Sequence, residues 1–319
     1  MSIDETNKKA SVIILNWNGK GYIIECIDSV EKLDIINLKL DIVVVDNGST
    51  DGSLSEIKNK ILNIKNTDQK FKIIESEKNL GFTGGNNVGI KYALENGADY
   101  VMLLNSDTFV DKNLLVQLIE VAKSNPEIGI VGPKIYFAKG HEFQKDIYQP
   151  KDLGKVIWYA GGVVDWKNVL QSHRGVDEVD KGQYDKTEVT DFVTGCCMLI
   201  KKEILEKIGL LDNKYFLYLE DADFCQRAKQ NGYKILYAPK AKLWHLNASS
   251  SSVGGNLQDY FITRNRLLFG IKYAGLKTKL ALFREGIGLL LKGRPWQKTA
   301  VKDFFLGKFG KGSYGSKNN

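Results

Sequence analysis

Short apolar runs alternate with helical periodicities through the first half of the chain. The runs at 11–15, 40–45, 71–75, 100–104 and 128–131 are too short for helices, and their near-continuous apolar character predicts strands buried on both faces. Between them, helical spacing appears over about 21–31, 86–96 and 112–124. Strands alternating with helices predict an α/β fold, a Rossmann-like and mostly parallel sheet flanked by helices. From 140 to 190 the pattern loosens, with Gly161-Gly162 marking a turn. Order returns with a strand over 194–200, then helices near 201–208 and 221–231, the second stopped by Gly232. A strand over 233–237 is expected to end before Pro239. A Ser-rich loop at 249–255 leads into two or three basic helices, and no internal repeat is found.

Sheets of this kind bind ligands outside the carboxyl ends of their strands. The polar clusters lie there. Asn16-Trp17-Asn18-Gly19 follows the first strand and Asp46-Asn47-Gly48-Ser49-Thr50-Asp51 the second. The run from Asn79 through Gly81-Phe82-Thr83-Gly84-Gly85-Asn86-Asn87 follows the third, and Asn105-Ser106-Asp107 the fourth. Four clusters on one rim describe a site better than four unrelated turns.

Composition adds bounds. A 43% hydrophobic and 26% charged share is ordinary for a soluble globular protein. Cys26, Cys196, Cys197 and Cys225 form no C-x-x-C pair and fit no structural zinc spacing with the three histidines, so they read as reduced thiols. Residues 1–10 are polar and mixed in charge, unlike a secretory signal, and no run reaches the roughly 20 apolar residues of a spanning helix. A cytoplasmic protein is expected, peripheral if it meets a membrane. The net charge of +7 is uneven: residues 260–319 carry 13 Lys and Arg against Glu285 and Asp303, or +11, leaving −4 for the rest. Such a basic tail, interleaved with leucine and aromatic residues, suits an anionic membrane surface; packing on the preceding domain or on a second subunit of a homo-oligomer explains it equally. No nucleic-acid motif accompanies the charge.

Several groups carry candidate chemistry. Asp46 can receive hydrogen bonds from a base or ribose, or cap a turn with Ser49. The Gly81–Asn87 glycines offer backbone N–H groups to a diphosphate, yet form neither a dinucleotide fingerprint nor a P-loop, and a structural turn explains them as well. Asp107, delivered to the rim by a buried strand, suits a hard cation that neutralises a diphosphate; capping the helix near 112 is the alternative. Glu220-Asp221-Ala222-Asp223 crowds three acids at a helix start, which the helix dipole alone accounts for, with Asp223 and Arg227 as a surface ion pair. The apolar lead-in Tyr215-Phe216-Leu217-Tyr218-Leu219 would nevertheless seat these carboxylates at a dry cleft, where a base can be tuned. His245, after Leu243-Trp244, is by itself more consistent with packing.

In order along 10–250, these segments resemble glycosyltransferase family 2, the inverting transferases of GT-A fold. The resemblance rests on Ser11–Asn18, Val44–Ser53, the glycine-rich segment from Asn79, Leu103–Asp107, Thr194-Gly195-Cys196-Cys197-Met198-Leu199-Ile200, Glu220–Arg227 and His245. Arg264-Asn265-Arg266 is similar to the subgroup with rhamnosyl- and galactofuranosyltransferases. It implies that Asp46, Asn16, Asn18, Gly81, Phe82, Gly84 and Asn86 lie beside the nucleotide sugar, with Asn105-Ser106-Asp107 as the D-x-D-like motif. It implies Asp107 and His245 as ligands of Mn²⁺ or Mg²⁺, Asp221 as catalytic base with Glu220 in support, and Thr194, Gly195 and Trp158 on the acceptor side. Asn105 in the first D-x-D position, a neutral oxygen donor, implies a metal site completed by substrate. The expected activity is transfer of a sugar, with a lean to dTDP-rhamnose, to a glycan or lipid-linked oligosaccharide in cell-surface polysaccharide synthesis. A catalytic domain over 1–255 would divide near 135 into nucleotide-sugar and acceptor halves, with a helical extension over 256–319. A non-catalytic nucleotide-sugar or glycan-binding protein is the alternative, favoured by Asn105 and opposed by Glu220-Asp221 and His245. A dinucleotide oxidoreductase lacks its fingerprint.

Overall fold

The computed structural model describes residues 8–64, 69–247 and 255–315. Most of the Ser-rich loop at 249–255 lies outside them. Four parallel strands form one side of the sheet: β1 (Lys8–Asn16), β2 (Leu38–Asp46), β3 (Lys70–Glu75) and β4 (Tyr100–Asn105), in the order β4-β1-β2-β3. The short β5 (Thr108–Val110) follows β4, and β6 (Ile128–Phe137) comes next in the chain. Beyond β4 the sheet changes sense. β11 (Cys197–Lys201) is wedged antiparallel between β4 and β6, while β12 (Lys234–His245) runs parallel to β6. The edges are filled by β7 (Ile157–Tyr159) on β6 and β10 (Glu188–Val189) on β12. β8 (Gly162–Asp165) and β9 (Leu170–His173) form a separate hairpin.

The central strands read as continuous apolar runs because alternate side chains enter two cores. Val12, Ile14, Ile42, Val44, Met102 and Leu104 face one side, with α1 (Ile23–Glu31), α2 (Ser53–Asn63) and α4 (Leu114–Lys123). Ile13, Val43, Val45, Val101 and Leu103 face the other, with α3 (Gly81–Glu95), α5 (Lys202–Ile208) and α6 (Glu220–Gln230). The last helices, α7 (Asn256–Tyr273), α8 (Leu276–Lys292) and α9 (Pro295–Phe305), join this second core through Leu267, Phe269, Leu282 and Val301.

Two expectations are corrected. The strand after Tyr233 does not stop at Pro239: β12 runs on to His245, absorbing the proline in a register shift between Ala238 and Lys242, where no ladder donor is required. The third helix starts at Gly81 rather than near Asn86, so the glycine-rich segment is helical. Its glycines are explained by proximity. A Cβ at Gly85 or Gly89 would lie 2.4 Å from Leu15 or 2.5 Å from Ile13, so glycine lets α3 settle directly on β1.

Candidate active site

A cavity of about 1110 Å³ opens on the strand-end rim, where Leu15, Trp17, Asn47, Asn79, Asn105 and Cys196 contribute to its wall. It gathers Gly81, Phe82, Asn105, Ser106, Asp107, Trp158, Thr194, Gly195, Glu220, Asp221 and His245. Asn16, Asn18, Asp46, Gly84 and Asn86, expected beside the nucleotide, are not among the residues that line this cavity. Asp46 is buried and tied into the turn, accepting from Asn16 Nδ2 at 2.9 Å and from the Ser49 N–H at 3.1 Å. Asn18 Oδ1 accepts from the Thr50 N–H at 2.8 Å, and Asn86 Nδ2 donates to the Phe82 carbonyl at 2.9 Å. A Cβ at Gly84 would lie 2.7 Å from Leu80 Cβ. These residues shape the rim. The start of α3 is also partly satisfied without a ligand: the Gly81 N–H donates to Asn79 Oδ1 at 2.7 Å and the Thr83 N–H to the Phe216 carbonyl at 3.3 Å. That leaves fewer donors for a diphosphate than an open helix terminus would offer.

Asp107 and His245 meet through a strand that hydrophobic periodicity does not reveal. β5 lies antiparallel on the end of β12 with Thr108 opposite His245, and the Leu246 N–H donates to the Asp107 carbonyl at 2.9 Å. His245 Nε2 lies 3.2 Å from each carboxylate oxygen of Asp107, and its Nδ1 is buried without a hydrogen-bond partner. Helix capping near 112 falls instead to Asp111, which accepts from the Asn113 N–H at 2.8 Å. Two ligands each about 2.0–2.1 Å from one cation, at right angles, are about 3 Å apart, so the Asp107–His245 spacing fits a shared divalent ion. Among the described residues no group of three His, Cys, Asp or Glu is placed to hold a metal ion. The pair would offer such an ion one imidazole nitrogen and the carboxylate oxygens of Asp107.

The acid pair sits on an unusual approach. Phe216, Tyr218 and Leu219 all take left-handed backbone angles, φ 65°, 69° and 68°, which cost non-glycine residues of order 1 kcal/mol or more each. The holding groups come from α7. Asn265 Nδ2 donates to the carbonyls of Tyr215, Leu217 and Tyr218 at 2.9, 2.8 and 2.9 Å. Arg264, fully buried, reaches the carbonyls of Lys214 and Tyr215. On the far side of the pair, Asp223 is not the surface ion-pair partner expected of it. It is fully buried, accepting from Arg227 and Tyr215 and from Lys272 Nζ and Tyr273 Oη of α7, both at 2.7 Å. α7 thus grips the chain before and after Glu220-Asp221.

Between these grips, Asp221 accepts from the Gly195 N–H at 3.0 Å and the Ala222 N–H at 2.8 Å. Burial raises its carboxyl above the ordinary range, and these donors pull it partly back. Glu220 is pushed up well above its ordinary value, first by burial and then by the Asp221 charge, and its Oε2 is buried without a partner. Both neighbouring carboxyls are therefore pushed towards the protonated form, Asp221 less so because backbone donors oppose its burial. Gly195 is required by a close approach: a Cβ there would lie 2.8 Å from the Phe82 ring.

Sequence reasoning missed His173. Burial pushes this imidazole down to about 4, so it stands neutral on the cavity wall, its Nδ1 3.2 Å from the Trp158 carbonyl. Trp158 packs edge-on to both His173 and His245, with ring centroids 4.4 and 4.6 Å away. His173 lies in the loosely patterned segment, where no periodicity points to it. Arg264-Asn265 did carry a signal, two strongly polar residues inside an aromatic and apolar run.

An α/β sheet with a rim cavity holding paired carboxyls and an Asp–His pair suits a group-transfer site. The chain belongs to glycosyltransferase family 2, whose profile, Glycosyl transferase family 2, matches residues 11–209. The low-salt glycan biosynthesis hexosyltransferase Agl10 of Haloferax volcanii is 26% identical over 230 residues, 72% of this chain and 66% of that protein. The N-acetylglucosaminyl-diphospho-decaprenol L-rhamnosyltransferase of Mycobacterium tuberculosis is 22% identical over 220 residues, 66% of this chain and 68% of that protein. Among solved structures, the mannosyltransferase PcManGT of Pyrobaculum calidifontis, in complex with GDP-Man and Mn²⁺, shares the fold at TM-score 0.54 and 16% identity, over 99% of this chain and 79% of its own.

Proposed function

We propose that this chain is an inverting, metal-assisted glycosyltransferase that moves a sugar from a nucleoside-diphosphate donor to a hydroxyl of a glycan or lipid-linked saccharide. The observation that carries the reading is the Glu220-Asp221 pair, Glu220 buried and Asp221 pinned by the Gly195 N–H on the wall that also holds Asp107 and His245. Asp221 takes the acceptor hydroxyl proton as the oxygen bonds the anomeric carbon, and the bond to the diphosphate breaks with its electron pair leaving on the diphosphate. General-base assistance of this kind contributes about 10²–10⁴-fold. One base and one displacement give inversion. Asp107 and His245 would hold Mn²⁺ or Mg²⁺, with Asn105 and Ser106 beside them, and such a cation supplies neutralisation of the charge on the leaving group. Thr194, Gly195 and Trp158 form the acceptor side. Trp17 and Asn47 join Gly81 and Phe82 on the donor side, with Asn16, Asn18, Asp46, Gly84 and Asn86 serving the nucleotide-sugar end.

The catalytic part spans about 1–255, its nucleotide-sugar half ending near 135, and a helical extension follows from 256. dTDP-rhamnose leads the donors to test, because one relative bears an L-rhamnosyltransferase name; another bears only a hexosyltransferase name, so the panel must be broad. Work at the cytoplasmic face of a membrane is supported by four buried free cysteines, which suit a reducing compartment. Incubation with dTDP-, UDP- and GDP-sugars and Mn²⁺ or Mg²⁺, following nucleoside diphosphate release, tests the reading. Release from at least one donor only when metal is present is expected; silence across the panel with acceptor mixtures supplied would oppose it.

A further inference from the structure

The basic tail separates into an inward and an outward face. Leu282 and Val301 are buried, and Trp296 packs on Tyr260 and Tyr314. Leu276, Leu280, Phe283, Ile287 and Leu291 of α8 point the other way, each at least 43% exposed and Leu276 as much as 74%. At 100° per residue these five positions fall within an arc of about 80°, an unbroken apolar stripe along a helix of about 25 Å. Arg284 and Lys277 adjoin the stripe on one side and Lys279 on the other. Among the described residues no carboxylate pairs with these three cations or with Lys292. The one acid of α8, Glu285, turns away and is held by Arg266, which lines the active-site cavity. At the end of α9, exposed Phe305 and Leu306 repeat the combination beside Lys302 and Lys308.

We infer that the outer face of α8 is a membrane-docking surface that lies flat in the headgroup region of an anionic leaflet. A stripe of large side chains wets poorly, and unpaired cations on both flanks are complementary to anionic headgroups at the depth where such a helix rests. A second copy of this chain is disfavoured as occupant, because apposed α8 helices would bring like-charged flanks together. The inference deepens the acceptor reading above: through Arg266 and Glu285 the docked helix connects to the cavity wall, so a lipid-linked acceptor would be met at the surface that holds it. It rests on that reading for its purpose only, because docking is measured without turnover.

The test is flotation of the full chain with vesicles of phosphatidylcholine alone or with 30% phosphatidylglycerol, roughly the range in which anionic surface charge attracts basic segments. The comparison is with Leu280→Ser/Phe283→Ser/Ile287→Ser and with Lys277→Gln/Arg284→Gln/Lys292→Gln, each checked for an unchanged melting transition. Binding to anionic vesicles only, weakened by salt and reduced about tenfold or more in both variants, is expected. No binding by the wild type, or equal binding by the stripe variant, would overturn the inference. So would a wild-type dimer that the stripe variant makes monomeric without loss on vesicles, which would assign the face to a second copy. If docking fails while donor turnover persists, only the surface falls; the reverse removes the enzymatic reading and leaves the surface.

Discussion

Glu220 and Asp221 are adjacent in sequence, both pushed up by burial, and yet unequal as acids. Backbone donors oppose the rise at Asp221, whereas Glu220 feels the Asp221 charge and its Oε2 has no partner. This inequality has a consequence for stability. A carboxyl whose pKa is higher in the native than in the unfolded chain binds more protons when folded, so stability falls as pH rises through the window between the two values. Below the ordinary Glu pKa of about 4.3 both states are protonated and the penalty vanishes. Glu220→Gln is therefore expected to melt higher than the wild type at neutral pH, with the advantage shrinking to nothing in acid; thermal melts across pH check this, and a lower melting point at neutral pH would argue against it. The raised Asp221 carboxyl predicts an acid limb of kcat/KM lying above the ordinary aspartate range, read from a pH profile. At Gly195, a methyl group would press on Phe82 and disturb the N–H that holds Asp221. Gly195→Ala should lower kcat by about tenfold or more, as misplacement of a catalytic group does, while donor affinity measured by calorimetry changes little.

At the scale of elements, α7 matters most. Its Arg264 and Asn265 hold three left-handed residues in place, and its Lys272 and Tyr273 fasten Asp223 beyond the acid pair. Asn265→Ala removes the donor to three carbonyls, and a loss of about 2–3 kcal/mol in denaturant unfolding is expected from leaving buried acceptors unmet. Its kcat should fall with the acid limb of the pH profile displaced, which a purely structural loss would not produce. The parallel strands were legible because burial on both faces writes an unbroken apolar run, and the rim clusters were legible because ligand sites follow strand ends. β5 was not: three residues carry no period, and their pairing with β12 depends on contacts more than a hundred residues apart. For the same reason the Asp107–His245 contact could be expected only from resemblance. Pro239 misled because a bulge, which tolerates proline, leaves no mark in periodicity. The glycines of α3 read as a loop because their purpose, contact with Leu15 and Ile13, lies in another element.

At the scale of the molecule, one sheet carries two cores, and the rim cavity is closed by helices that follow the family-matched region in the chain. Residues 11–209 match the family, yet Glu220, Asp221, His245 and the grips of α7 all lie beyond that stretch. The helical extension therefore supports the active site on one face and presents its cations and apolar stripe on the other. The central claim concerns a proton. Asp221→Asn keeps the shape of the side chain and removes its basicity, so the variant is expected to bind donor and metal as the wild type does while sugar transfer falls by roughly 10²–10⁴-fold. Transfer measured by mass spectrometry alongside donor affinity by calorimetry decides it. Near-normal turnover in that variant would contradict Asp221 as the base.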